Sequence, residues 1–329
     1  MHKLLKKIQL WKAALRAYSL PISIMSWFVP FLYAVFQNGN IINGIIALLG
    51  IIALHLATNI FDDAVDYIRE KKEIEKGTKK HFNFQKGKCE CIFKGYLSVE
   101  QYFNAAFFLY FISFLIGLYF IYIQGTKILY IIIPSIILCL SYPLLGCIGL
   151  GEIIVAVIFS PLLYLGVYFV MKGCFSLDVL IISVSTGLLS VAVLHNHMLL
   201  DFKYDTENRK TTLCRLCGTE QKALYLLGII IAGAYANIII WAAAGHLNIC
   251  YLITLLSLPA AVILYKIMKI HIKTPDKKIK RSIFMGPLKE LEKIDEKQQN
   301  FMLKFLIVRN LLTLFTVLLC IAIILTEAF

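Results

Sequence analysis

Asn59-Ile60-Phe61-Asp62-Asp63-Ala64-Val65-Asp66-Tyr67-Ile68-Arg69-Glu70 follows directly on an uncharged apolar run, 41–58. A membrane-spanning helix needs about 20 mostly apolar residues, so the run reads as a span. Continued past the membrane edge, the helix puts Asn59, Asp63, Asp66 and Glu70 on one face, at spacings of three and four, with Asp62 flanking the stripe. Like charges stacked on one helix face repel unless a cation neutralises them, which points to a metal site. A solvated helix end, where charge normally accumulates, is the competing reading.

Eight further apolar runs accompany this one: about 19–36, 102–123, 128–145, 151–171, 178–199, 224–244, 249–268 and 303–326. Of the 329 residues, 59% are hydrophobic and 16% charged, against roughly 45–50% and about 25% in soluble domains. That excludes a disordered chain, a coiled coil and an ordinary soluble enzyme. The expected fold is all-α: a polytopic membrane protein of about nine transmembrane helices around an apolar cavity open to the cytoplasmic side, as one domain over 1–329.

The net charge of +13 could suggest nucleic acid, but its distribution argues against that partner. Thirty of the 33 Lys and Arg fall in four segments: the N-terminus and the connections 59–101, 200–223 and 266–304. The short connections 37–40, 124–127, 172–177 and 245–248 carry almost none. Apart from the short, uncharged fourth connection, rich and poor connections alternate as nine crossings require. The positive-inside rule therefore places the N-terminus in the cytoplasm of a cell-membrane, multi-pass protein. The first run lacks a small-residue cleavage pattern, and Pro21 and Pro30 suit a bent, retained span. Cys89, Cys91, Cys214 and Cys217 fall in cytoplasmic connections, where thiols stay reduced, and their spacing is not that of a common zinc module. An amphipathic surface helix is expected around Gly286–Gln299, beside a Lys277, Lys278, Lys280, Arg281 run suited to lipid headgroups.

The sixth span runs into Asp201-Phe202-Lys203-Tyr204-Asp205, two acids four apart on the face that the charge count assigns to the first stripe. Two facing carboxylate stripes could hold two Mg2+ ions. That cation takes oxygen ligands and is commonly shared between a few carboxylates and substrate phosphates. Arg209 and Lys210, one turn later, could grip phosphate oxygens. The combination suggests a diphosphate held through Mg2+ at the mouth of an apolar cavity.

These two motifs resemble those of the UbiA superfamily of membrane prenyltransferases, N-D-x-x-D-x-x-x-D and D-x-x-x-D. Other stretches are similar to its 1,4-dihydroxy-2-naphthoate (menaquinone) branch: Trp11, Arg16, Leu20-Pro21 and Pro30; Gly87 and Gly95-Tyr96-Leu97-Ser98; Gly149-Leu150-Gly151-Glu152 with Ser160-Pro161; and Lys210-Thr211-Thr212-Leu213 with Gly218. The chain departs from the pattern where Asp62 replaces the first Asn and Glu70 the final Asp. His197, Met198 and Leu200 also stand where the branch often has two Asn and an Arg.

The resemblance implies Mg2+-dependent transfer of a polyprenyl group from its diphosphate to an aromatic acceptor, most specifically 1,4-dihydroxy-2-naphthoate, with 4-hydroxybenzoate or another acceptor as the alternative. The expected catalytic and metal-holding acids are Asp63, Asp66, Asp201 and Asp205, with Asp62 and Glu70 completing the metal set. Asn59, Arg16, Tyr142, Glu152, Arg209 and Lys210 are the expected substrate-binding residues. His55 reads as a packed histidine, and His195 and His197 as possible substrate contacts. A cation-coupled transporter would instead show polar residues near the midplane and repeat-related broken spans. An inactive homologue would show lost acids.

Overall fold

A computed structural model describes residues 2–78, 82, 88–207, 211–275, 277–293 and 296–327. These residues are helical almost throughout, and nine helical segments are long and apolar enough to cross a membrane. In chain order, α1 is His2–Ala14, α2 Leu20–Phe36 and α3 Ile41–Glu75. The short α4, Glu90–Phe93, precedes α5, Val99–Gln124, and α6, Leu129–Leu145. Then come α7, Gly151–Val157, and α8, Leu163–Lys172, which together make one span, and α9, Leu177–Leu200. Two short helices, α10 (Phe202–Glu207) and α11 (Leu213–Leu216), lead to α12 (Glu220–Ala243), α13 (Leu258–Lys273) and α14 (Glu296–Glu327).

Four of the spans begin where a polar side chain satisfies one of the first free N–H groups. Asn40 caps α3, Ser98 caps α5 in a reciprocal box with Gln101, Ser176 caps α9 and Thr219 caps α12. The longest helix, α3, runs unbroken past the apolar run through the whole acid stripe to Glu75, as the spacing argument required. The bundle pairs α3 with α5, α2 with α8, and α9 with both α12 and α14. Its outer surface is an apolar sleeve: Phe107, Phe108, Phe111 and Phe114 of α5 are exposed, as lipid-facing positions should be.

Two spans depart from regular α geometry for reasons written in the sequence. Between α7 and α8, residues Ile158–Leu162 form a π-helical turn around Pro161, whose missing N–H and bulky ring disfavour tight winding. The widened turn lets Ser160 donate to the Ser183 carbonyl of α9, at a point where Gly187 leaves no room for a side chain: a Cβ there would lie 2.4 Å from Ser160 Oγ. Ahead of α13, Ile249–Ser257 is a nine-residue 3₁₀ stretch. Tyr251, Thr254 and Ser257 recur every third residue, all buried, and Ser257 Oγ meets the Tyr235 hydroxyl of α12 at 2.7 Å. Thr254 Oγ1 donates to Tyr251 O at 2.8 Å and Ser257 Oγ to Thr254 O at 2.7 Å, so the period of three matches three residues per turn.

The surface helix expected at Gly286–Gln299 does not form as one unit. Gly286 takes a left-handed φ of 73° and Pro287 follows, so only a short 3₁₀ turn, Lys289–Lys293, precedes α14, whose first residue is Glu296. The helix fails there because Gly and Pro together disfavour continued α winding.

Candidate active site

Ile60 and Ala64, four apart on α3, are buried against Cys91, Ile92, Leu97 and Tyr102. That apolar contact fixes the rotation of α3 and folds the segment around residues 88–97 back over the helix. The acids then fall on the neighbouring faces, and all are withdrawn from solvent: Asp62, Asp63, Asp66 and Glu70 are each under 10% exposed.

Charges buried this deeply need partners. Arg16, at the break between α1 and α2, supplies one set. Its Nη1 lies 3.1 Å from Asp63 Oδ1 and 3.6 Å from Asp62 Oδ2, and its Nη2 donates to Asn59 Oδ1 at 2.8 Å. Burial alone would lower the guanidinium pKa, but Asp63 and Asp62 outweigh it and hold it above the ordinary range. Lys88 supplies the second set, with Nζ 2.9 Å from Asp62 Oδ2 and in contact with Asp66 Oδ2. Its ammonium is likewise held up, with Asp62 and Asp66 exceeding the cost of burial. Arg69 makes a third pair with Asp66 and reaches Cys147 and the Pro143 carbonyl of α6.

Asp63 is gripped from the backbone side as well. The N–H of Cys89 donates to Asp63 Oδ2 at 2.9 Å, and Cys89 Sγ donates to the Asp63 carbonyl at 3.1 Å. Burial, and then Asp63, push the Cys89 thiol well above its usual range. Arg16 and Cys89 are both non-glycine residues at positive φ, 49° and 55°. Backbone strain of this kind costs on the order of 1–3 kcal/mol and clusters at functional sites. Here both strained residues hold the same carboxylate.

Behind Arg16 a polar chain runs into the span. Asn59 Nδ2 donates to Ser19 Oγ at 3.0 Å, Ser19 Oγ meets His55 Nε2 at 2.9 Å, and His55 Nδ1 contacts Ser23 Oγ. His55 is thus tied to the site through Asn59. The other histidines are placed differently. His195 Nε2 bonds the Ala223 carbonyl at 2.9 Å, and His197 stacks on Phe305 with ring centroids 3.7 Å apart, so both serve helix packing.

The second motif stands at the same face of the bundle. Asp201 ends α9 and Asp205 lies within α10, the latter fully buried. Tyr204 feels Glu70 of the first motif together with Asp205 and Asp201 of the second, so the two stripes share one space. Burial first, and then these acids, raise the Tyr204 phenol pKa. Arg215 of α11 donates to the Asp205 carbonyl at 3.3 Å. Gly149, left-handed at φ 85°, lets the turn before α7 close on α11: a Cβ there would meet Leu216 at 2.8 Å and the Thr212 carbonyl carbon at 3.2 Å. That approach carries Glu152, 3% exposed in the first turn of α7, to the second motif, where Cys214 feels both Glu152 and Asp205. Tyr142 of α6 stands in the field of Asp62, Lys88, Arg16 and Glu152.

The structure therefore brings together Asn59, Asp62, Asp63, Asp66, Glu70, Asp201, Asp205, Arg16, Tyr142 and Glu152. Arg209 and Lys210 lie outside the described residues. Lys88, Arg69, Tyr204 and Arg215 join the site without having been singled out from the sequence. Among the described residues no three His, Cys, Asp or Glu side chains converge into a ready-made metal site, because Asp62, Asp63 and Asp66 are turned to Arg16, Lys88 and Arg69. The donor set is carboxylate oxygen from two helix ends, buried at Asp205 and in the first motif, where Arg16, Lys88 and Arg69 balance it. It fits a hard cation such as Mg2+ in kind.

Comparison with known proteins agrees with this architecture. The sequence profile described as the UbiA prenyltransferase family matches residues 21–288. No curated protein matches the chain by sequence. Among solved structures, one reported for a digeranylgeranylglyceryl phosphate synthase in membranes superposes with a TM-score of 0.63 at 13% identity, covering 97% of this chain and 99% of that one. A UbiA homologue from Archaeoglobus fulgidus bound to GPP and Mg2+ gives 0.54 at 12% identity, covering 93% and 99%. An apo UbiA homologue from Aeropyrum pernix K1 gives 0.51 at 15% identity, covering 89% and 98%.

Proposed function

The chain belongs to the UbiA prenyltransferase family and is a membrane prenyltransferase, and we propose that it transfers a polyprenyl group from polyprenyl diphosphate to 1,4-dihydroxy-2-naphthoate, a step of menaquinone biosynthesis. The observation that carries the reading is the pair of acid stripes, the buried Asp62–Glu70 set and Asp201 with the buried Asp205, meeting across Tyr204 at one end of an apolar bundle. The binding of GPP and Mg2+ by the A. fulgidus homologue supports the donor and the metal.

In this reading Asp63, Asp66, Asp201 and Asp205, with Asp62 and Glu70 beside them, would hold two Mg2+ ions at the cytoplasmic face of the cell membrane. When bound, the metal neutralises charge gathering on the leaving diphosphate. Arg16, Lys88, Arg209 and Lys210 hold the phosphate oxygens, and Arg16 in turn is held by Asn59. The allylic C–O bond breaks with its electron pair going to the diphosphate. The carboxyl-bearing ring carbon of the acceptor donates the pair for the new C–C bond, and its bond to the carboxylate then breaks, the pair returning to the ring to restore aromaticity as CO2 leaves. Tyr142 and Glu152 flank the acceptor. The apolar interior excludes water, which would otherwise capture the allylic cation.

The test is prenyl transfer by membranes carrying the protein, with Mg2+, a polyprenyl diphosphate and 1,4-dihydroxy-2-naphthoate, read by mass spectrometry. A Mg2+-dependent prenylated product lacking the carboxyl carbon, lost in Asp66→Asn, is the expected result. Product only with 4-hydroxybenzoate would keep the chemistry and replace the acceptor. No product with any acceptor would overturn the proposal.

A further inference from the structure

The charged end of α13 and the segment 277–285 enclose an open groove that takes no part in the active site. Its floor is apolar, formed by Ile263, Ile267 and Ile270 of α13 with Ile279 and Met285 from the returning segment. Its rim is basic, with Lys266, Lys277 and Lys280 all exposed. A second hollow shares Lys266, Ile270 and Lys277 and adds Lys269 and Lys273. Among the described residues, none that lines either hollow is acidic.

Position and chemistry point the same way. Lys266, Lys269 and Lys273 recur at three and four along α13, so they share one face in the last turns of a membrane span. Lysines there can lay their stems on apolar surface and present the ammonium at the headgroup level. An occupant must be apolar where it meets the isoleucines and anionic where it meets the lysines. We propose that this groove is a specific site for one anionic phospholipid, with an acyl chain along Ile263, Ile267 and Ile279 and the phosphate held by Lys266, Lys277 and Lys280.

A soluble anion would need only the rim, and a zwitterionic lipid would bring to the rim a cation that the lysines repel and that, among the described residues, no acidic lining residue offsets. The anionic phospholipid uses both rim and floor. The segment 277–285 thereby becomes part of a lipid clamp, with Met285 closing its base.

Native mass spectrometry of the intact protein released from nanodiscs of mixed phosphatidylglycerol and phosphatidylcholine tests the proposal. Wild type should retain one phosphatidylglycerol in preference to phosphatidylcholine. Lys266→Gln/Lys277→Gln/Lys280→Gln should lower that preference by about a hundredfold, while the matching triple Arg variant and Lys71→Gln/Lys72→Gln, which lies elsewhere on the charged face, should retain it. Wild-type circular dichroism from the Gln triple variant shows that lost retention is not lost folding. Equal retention of the two lipids, unchanged preference in the Gln triple variant, or displacement by millimolar inorganic phosphate or by polyprenyl diphosphate would each overturn it.

Discussion

Lys88 occupies the carboxylates that the proposed metal needs, so its removal should strengthen Mg2+ binding while weakening the empty protein. Lys88 Nζ lies 2.9 Å from Asp62 Oδ2, an attraction of about 6 kcal/mol at an effective dielectric constant of about 20. Desolvation of the ammonium takes back several kcal/mol, leaving a net contribution of about 3 kcal/mol. Lys88→Met keeps the stem's packing and deletes the charge. It should lower the metal-free unfolding midpoint by about 6 °C, taking roughly 2 °C per kcal/mol for a long chain. In the cycle linking the two proteins and their Mg2+ complexes, the clamp is lost from one corner only. The variant should therefore bind Mg2+ alone about a hundredfold more tightly. Titration calorimetry in detergent, without diphosphate, reads the affinity, and tryptophan fluorescence on heating reads the midpoint. Unchanged or weaker Mg2+ binding by Lys88→Met would refute the idea that lysine and metal compete for Asp62 and Asp66.

Asp205→Asn should abolish prenyl transfer while leaving helicity intact, measured by product mass spectrometry and circular dichroism; retained activity would remove the second stripe from the metal site. Gly187→Ala should destabilise by about 1–3 kcal/mol through overpacking, since the new Cβ meets Ser160; adding Ser160→Gly should restore the midpoint, and no rescue would place the clash elsewhere. Maleimide at pH 8 should label the exposed Cys174 at least about a hundredfold faster than buried Cys89. Burial and then Asp63 raise the Cys89 thiol above its usual range, so it stays protonated and its labelling should remain far slower than that of Cys174 from pH 7 to 9; comparable rates for the two would mean that the segment over α3 opens freely. His55→Ala should cost about tenfold in kcat/KM by releasing Ser19 and Asn59, with His55→Gln recovering most of it; equal activity of all three proteins would make His55 a packing residue only.

The parts legible in the sequence are those with a period. Apolar runs of span length mark the nine segments that, among the described residues, are helices long and apolar enough to cross a membrane, and the spacing of Asn59, Asp63, Asp66 and Glu70 marks a helix face that α3 presents as one continuous element. Charge counting alone puts Asp201 and Asp205 at the same end of the bundle as the first stripe, the end they share in the structure. Lys88 was hidden because it is one basic residue in a polar connection, and no period records that the chain folds back over α3. Its neighbour Cys89 carries the only local signal, a backbone strain visible after folding. Arg69, Tyr204 and Arg215 were overlooked for a similar reason: each reads as an ordinary polar residue near a span end until a partner from another helix arrives. The 3₁₀ stretch had a readable sign, the three-residue recurrence of Tyr251, Thr254 and Ser257, which a search for helical and strand periods alone passes over.

That stretch also sets how the eighth crossing matches the thickness of a bilayer. Nine residues at a rise of 2.0 Å reach about 18 Å, where α winding would reach about 13.5 Å. The eight α-helical residues that follow, 258–265, add about 12 Å, so the crossing reaches Lys266 after about 30 Å, the depth of the hydrocarbon core. Wound as α helix throughout, the same residues would fall about 4–5 Å short. The first ammonium would then be drawn below the headgroups or the helix forced upright. The buried hydroxyl row of Tyr251, Thr254 and Ser257 is thus a length gauge, holding the crossing stretched so that its lysines emerge at the membrane surface.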